Sequence, residues 1–244
     1  MTCGPLYASE SDDRIESSAR NSHMFKTYLT GDDIRVQARD GVVTLRGTVT
    51  HEFHLALAQD TVAGLPGVTR VDNRLGLSTG RMVAYSDAWL STRVKTTLLF
   101  RRTVRARHIE VTAIDGMVIL RGEVSSQAQR DRLTEYIDDV IGVEGIRNKM
   151  TVARTASTTT AGDAAGETID DASVTAQVKT ALMFHRSAGS RTIQVKTTKG
   201  VVTLRGTARN AAHQALVAKL VTDIDGVKSV VNDITVDTAL SRND

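Results

Sequence analysis

Internal repetition is the strongest constraint on this chain: DGVVTLRGTV at 40–49 returns as DGMVILRGEV at 115–124 and as KGVVTLRGTA at 199–208. Self-similarity at a fixed period has to be read before any single element, because each copy must be one folding unit. A shift of 75 residues carries Gly41 onto Gly116, and a further 84 carries it onto Gly200. No gap is needed across 15–77, 90–152 and 174–236, so each copy is about 63 residues long. Units of that size sit near the lower limit for independent folding, and neighbours are expected to lean on one another. The sequence therefore divides into a disordered tail (1–12), domains at 13–78, 89–153 and 172–237, linkers at 79–88 and 154–171, and a C-terminal tail (238–244). The second linker is the longer and is a Thr/Ala/Gly tract without apolar period, which predicts a third domain that moves independently of a more compact first pair.

Inside each copy the apolar period changes in a fixed order. Leu90, Val94, Leu98 and Leu99, matched by Val174, Val178, Leu182 and Met183, have helical spacing. Ile109, Val111 and Ala113 then alternate, as do Val118, Leu120, Gly122 and Val124, and Asp-Gly or Lys-Gly between two such runs marks a hairpin. A second helical stretch follows through Leu133, Tyr136, Ile137 and Val140, with Thr50, Ser125 or Ser126, and Asn210 as suitable caps. It is expected to stop at Gly67, Gly142 and Gly226, and a last strand carries Ile146, Asn148, Met150 and Val152. The predicted class is α+β: three tandem α-β-β-α-β domains, each a three-stranded mixed sheet with two helices on one face.

That element order, the GVVTLRG strand, the Gly-Val about twenty residues beyond it and the closing Val-x-Asn resemble the BON domain family, named for bacterial osmotically induced and nodulation proteins. The resemblance covers about four-fifths of the chain. It implies a periplasmic bacterial protein similar to osmotically induced periplasmic proteins and dual-BON lipoproteins, with phospholipid binding and envelope integrity as its role. It carries no catalytic residues and no cofactor.

The residues themselves point away from catalysis. His51 and His54 are too close for a zinc-protease pair, Asp138 and Asp139 are adjacent and diverge on a helix, and no phosphate loop or nucleophile elbow occurs. Cys3 alone builds no disulfide or metal framework. The stretch MTCGPLYASESD has no basic segment followed by an apolar run, and Cys-Gly before polar residues looks like the start of a mature lipoprotein, making Cys3 a candidate lipidation point. Hydrophobic content of 41% without a long apolar run predicts a soluble or peripheral chain, and aromatics at 4% argue against a base-stacking nucleic-acid binder.

Two sets of arginines remain. Arg46, Arg121 and Arg205 recur between core positions and therefore face the uncovered side of each sheet, where they are candidate partner contacts or solubilising charges. The glycine after each is read as allowing close approach of a helix. The second set lies in FRRTVRARH at 100–108, where Arg101, Arg102, Arg105 and Arg107 crowd a helix end beside Phe100 and the helix-opening Trp89. This is the candidate patch for an anionic phospholipid surface. The alternative is a scaffold that self-associates into a homo-oligomer or holds another envelope protein. The first copy is the most divergent, with Ala19 and His23 in place of Val94 and Leu98, so its first helix is expected to be the least firmly docked.

Overall fold

The structure is a computed structural model that describes residues 10–78, 86–102, 109–153, 169–186 and 193–236. Each repeat forms the predicted sheet. In the first, α1 (Glu10–Asn21) and α2 (His23–Thr27) precede β1 (Asp33–Arg39), β2 (Val42–Val49), α3 (Glu52–Ala63) and β3 (Arg70–Leu77). In the second, α4 (Asp87–Leu99) leads to β4 (Ile109–Ile114), β5 (Met117–Val124), α5 (Gln127–Asp138) and β6 (Gly145–Val152). In the third, α6 (Asp171–Phe184) leads to β7 (Ile193–Thr198), β8 (Val201–Ala208), α7 (Ala211–Thr222) and β9 (Ser229–Val236). The middle strand pairs antiparallel with the strand before it and parallel with the strand after it in all three sheets.

The hairpins are two-residue turns with both central residues at positive φ: Asp40 at 51° with Gly41 at 75°, and the same at Asp115–Gly116 and Lys199–Gly200. That geometry is the type I′ turn whose twist matches a β-hairpin, and only the second position needs glycine here. The carbonyl of that glycine accepts from the residue opening the last strand's approach, Thr69, Glu144 or Lys228, each at 2.9 Å. So one turn pins both the hairpin and the return from the second helix.

Leu90, Val94 and Leu98 on α4 pack with Val111, Val118, Leu120, Leu133, Ile137 and Met150 into one core. Leu99, expected among them, is 45% exposed. In the first domain the helix breaks at Ser22, whose hydroxyl accepts from Phe25 N, and α1 docks with fewer large apolar side chains. Ile15 and the small Ala19 are buried. Carboxylates supply the rest of the attachment, with Asp12 accepting from Asp40 and Gly41 N and Glu16 from Ala38 N at 3.0 Å.

Several expectations require correction. Gly67, Gly142 and Gly226 have positive φ but lie in the turn beyond the helix, which has already ended at Ala63, Asp138 and Thr222. Gly47 makes room for a strand rather than a helix: a Cβ there would meet the Asp33 carbonyl oxygen at 1.8 Å, and its φ is 121°. The same positive φ recurs at Gly122 and Gly206. Thr50 bonds to Asp32 instead of capping α3, whereas Ser126 and Asn210 cap α5 and α7 as expected. The second and third sheets also fall in one compact unit, and the first sheet shares another with residues 169–180, the start of α6.

Candidate functional site

The basic stretch after α4 is the first place to look, and two of its arginines are already occupied within the unit that holds the second and third sheets. Arg101 is 3% exposed. Its guanidinium donates to the Leu220 carbonyl at 2.5 Å and lies 4.4 Å from the centre of the Tyr136 ring. Burial lowers its pKa to about 10. Arg102 donates to the carbonyls of Thr222 and Val227, and Phe100 is fully buried. Trp89 is half-buried against the core, with the Arg93 guanidinium 4.0 Å from its ring. Arg105 and Arg107, like Cys3, lie outside the described residues. The expected patch is therefore corrected at Phe100 and Arg101, which are buried in protein, while Arg102 stays exposed as it holds its two carbonyls.

What they build instead is reciprocal. Arg102 N donates to Asp223 O and Asp225 N to Phe100 O; at the equivalent positions 84 residues away, Arg186 N donates to Asp139 O and Ile141 N to Phe184 O. The four bonds are 3.1, 2.9, 2.8 and 2.8 Å long. Two isolated bridges, Arg101 with Ile224 and His185 with Val140, complete a pseudo-two-fold joint. Side chains break its symmetry. Tyr136 OH donates to Asp223 Oδ2 at 2.6 Å, and burial with that hydrogen bond pushes the phenol's pKa up. His185 Nδ1 sits 3.3 Å from Asp139 Oδ2, yet burial dominates and lowers its pKa.

The repeated arginines do lie on open faces. Along β2, β5 and β8 the buried positions alternate with exposed ones, and Arg46, Arg121 and Arg205 fall on the exposed side. Their cross-strand neighbours differ. Arg121 stands between Glu110 and Lys149, with Glu110 Oε2 at 4.0 Å. An open depression of about 650 Å³ beside it is lined by Arg121, Gly122, Glu123, Lys149 and Thr151. Arg205 stands between Gln194 and Asp233, with Asp233 Oδ2 at 3.4 Å. Arg46 instead stands between Arg35 and Arg74. Arg74 pairs with Asp72 at 2.7 Å, and that hydrogen bond, reinforced by the charges of Arg74, Arg70 and Arg46, holds the Asp72 carboxyl below its usual range. Sequence reasoning missed Arg35 and Arg74; strand alternation alone would have placed them on this face, but only the register sets them directly opposite Arg46.

His54 is buried with Nδ1 2.6 Å from Asp32 Oδ2, a structural pairing at the foot of α3. Burial is the largest influence on it and lowers its pKa despite Asp32. No group of three or more metal-ligating side chains occurs among the described residues. Among them, too, no helix is long and apolar enough to cross a membrane.

With three matching sheets, hairpins and open faces established, comparison with known proteins is direct. The BON domain profile matches residues 11–78, 86–154 and 170–238. The chain belongs to the BON domain family. It is 32% identical over 148 residues to osmotically-inducible protein Y of Escherichia coli strain K12, covering 61% of this chain and 71% of that one. It is 33% identical over 115 residues to a 21 kDa hemolysin of Actinobacillus pleuropneumoniae, covering 46% of this chain and 59% of that one. Among solved structures it is similar to CdsD, a structural protein of the type III secretion system of Chlamydia trachomatis, at 16% identity and a TM-score of 0.25, covering 91% of this chain and 90% of that one. The family match and these relatives agree on a chain of three BON domains.

Proposed function

We propose that this BON protein is a non-enzymatic, periplasmic, membrane-peripheral module that binds anionic phospholipid and supports the envelope under stress. The observation that carries the reading is the open face of each sheet with an arginine at one repeated register position, 46, 121 and 205. Cationic side chains on a surface free of apolar cover favour weak, reversible and salt-sensitive attachment to an anionic leaflet. Similarity to an osmotically inducible protein fits the stress role, and the relative named a hemolysin is named for an action on a membrane.

The test is co-sedimentation of the full chain with phosphatidylglycerol vesicles against phosphatidylcholine vesicles at low and high salt. Selective binding that salt abolishes is expected; equal binding to both, or none, overturns the reading.

A second reading has its own observation. The reciprocal joint between the second and third domains is a BON surface that accepts another BON surface, the property a scaffold of repeats needs. Light scattering separates the two: a closed oligomer without lipid favours the scaffold, and a monomer that gains mass only on vesicles favours lipid binding.

A further inference from the structure

We propose that the first domain carries the principal bilayer contact, through the row of guanidinium groups at Arg35, Arg46 and Arg74 on its open sheet face, an assignment that rests on the lipid-binding reading above. The register places these three side by side across all three strands, Arg35 opposite Arg46 and Arg46 opposite Arg74. A second row, Arg39, Val42 and Arg70, runs parallel to it. All five arginines are exposed.

Like charges directly opposite one another on a sheet are destabilising. The corresponding row in the second domain is Glu110, Arg121 and Lys149, and in the third Gln194, Arg205 and Asp233. Both place a carboxylate beside the repeated arginine; the first domain places arginine on each side. Arg46 forms no ion pair among the described residues, and Asp33 and Asp72 are the carboxylates on a face with five arginines. Arg35 and Arg74 have Asp33 and Asp72 beside them, but the central Arg46 has no carboxylate opposite it, and cross-strand pairing supplies none. An anionic partner would supply the counter-charge.

The geometry selects a surface over a single ligand. Strand spacing sets neighbouring arginines in a row about 4.8 Å apart, and four residues along a strand set the two rows about 13 Å apart. That is a flat array of forks suited to many phosphate oxygens in a plane. The face residues are Asp, Arg, Gln, Val, Thr and Gly, without an aromatic ring on which bases would stack, which disfavours single-stranded nucleic acid. A laterally continuous phosphodiester plane is what an anionic phospholipid leaflet presents.

The experiment compares the full chain with Arg35→Thr/Arg46→Thr/Arg74→Thr on phosphatidylglycerol vesicles at low salt. Threonine keeps strand propensity. Each basic side chain at an anionic leaflet is worth roughly fivefold in partitioning, so the triple variant should bind roughly a hundredfold more weakly. Its melting temperature should be unchanged or higher, because opposed like charges are removed. Arg14→Gln/Lys26→Gln/Arg132→Gln removes the same charge from exposed helix positions and should retain most of the binding.

If the wild-type chain binds phosphatidylglycerol and the sheet variant binds equally well, the assignment to the first domain fails and the lipid reading stands. A helix variant that loses as much as the sheet variant reduces the effect to net charge and also overturns the assignment. If the wild type binds no anionic vesicle, both fall. A labelled DNA duplex bound more tightly than vesicles, with binding lost in the sheet variant, reassigns the face to nucleic acid.

Discussion

The three domains share one fold but not one joint, and the contrast lies in a few residues after each helix. In the second and third domains Phe100 and Phe184 are buried, and each gives its carbonyl to an amide N–H of the other domain, from Asp225 and Ile141. The first domain has Phe25 at the equivalent place, only half-buried, followed by Lys26 and Thr27 instead of two groups that dock. Where Ile141 and Asp225 donate, it has Pro66, which has no N–H. A single imino acid therefore removes the donor on which the reciprocal joint depends. The first domain uses this end differently: α2 donates from His23 N to Asp170 and from Met24 N to Ser173, and Gly64 leaves space for Ala172, whose Cβ an added side chain would meet at 3.0 Å. Identical folds are thus given different partners by main-chain donors as much as by side chains.

The largest effect expected from breaking this contrast is truncation of its aromatic. Phe100→Ala should lower unfolding free energy by about 3–5 kcal/mol, as for other fully buried phenylalanines, while Phe25→Ala should cost less than about 2 kcal/mol. Urea denaturation of both variants checks this; equal losses would mean that the joint contributes nothing beyond an ordinary core.

Next in size, Ile141→Pro copies Pro66 into the second domain. It leaves the Phe184 carbonyl without its donor and should cost about 1–3 kcal/mol, whereas Pro66→Ile should change stability little. Hydrogen exchange at Asp225 and Arg186 would show whether the partner strand of bonds loosens with it.

Protonation sharpens the same comparison. His185 faces Asp139, Arg101 and Arg93, and burial holds its pKa below the ordinary 6.5. The unfolded chain then binds more protons than the folded one below that pH, so stability falls as pH drops from 6.5 through the lower folded value. Denaturation midpoints at pH 7.5 and 5.5 should differ less for His185→Asn than for wild type. The first domain has the exposed Lys26 at the matching place, and Lys26→Asn is the comparison variant, expected to leave the difference unaltered.

The smallest effect concerns the sheet faces. Arg46→Thr should raise the unfolding free energy slightly, by about 0.5 kcal/mol or less, because two flanking arginines are relieved; Arg121→Thr removes the arginine beside Glu110 and should leave it unchanged or lower it. Thermal melts of the two variants side by side provide the check.

Much of this architecture was legible from residues alone. Alternation placed Val43, Leu45 and Val49 inward and Arg46 outward, and Asp-Gly located the hairpins, because both signals act within a few residues of chain. The basic run at 100–108 was legible as a cluster but not as a surface. A guanidinium looks the same in sequence whether it meets lipid or the Leu220 carbonyl. The neighbour of Gly47 is hidden for a similar reason: the Asp33 carbonyl that a Cβ would meet belongs to the adjoining strand.

By itself, then, the sequence determined three α-β-β-α-β units, their turns, the inward and outward face of each central strand and membership of the BON family. Those depend on local propensity and period, which repeat wherever the residues repeat. Tertiary structure alone decided that Arg101 and Arg102 serve a joint between domains, that residues 169–180 belong with the first sheet, and that Arg35, Arg46 and Arg74 form a row. Each of these joins positions distant in the chain, and strand register and domain docking are set by the sum of many such contacts rather than by any one stretch that could be read alone.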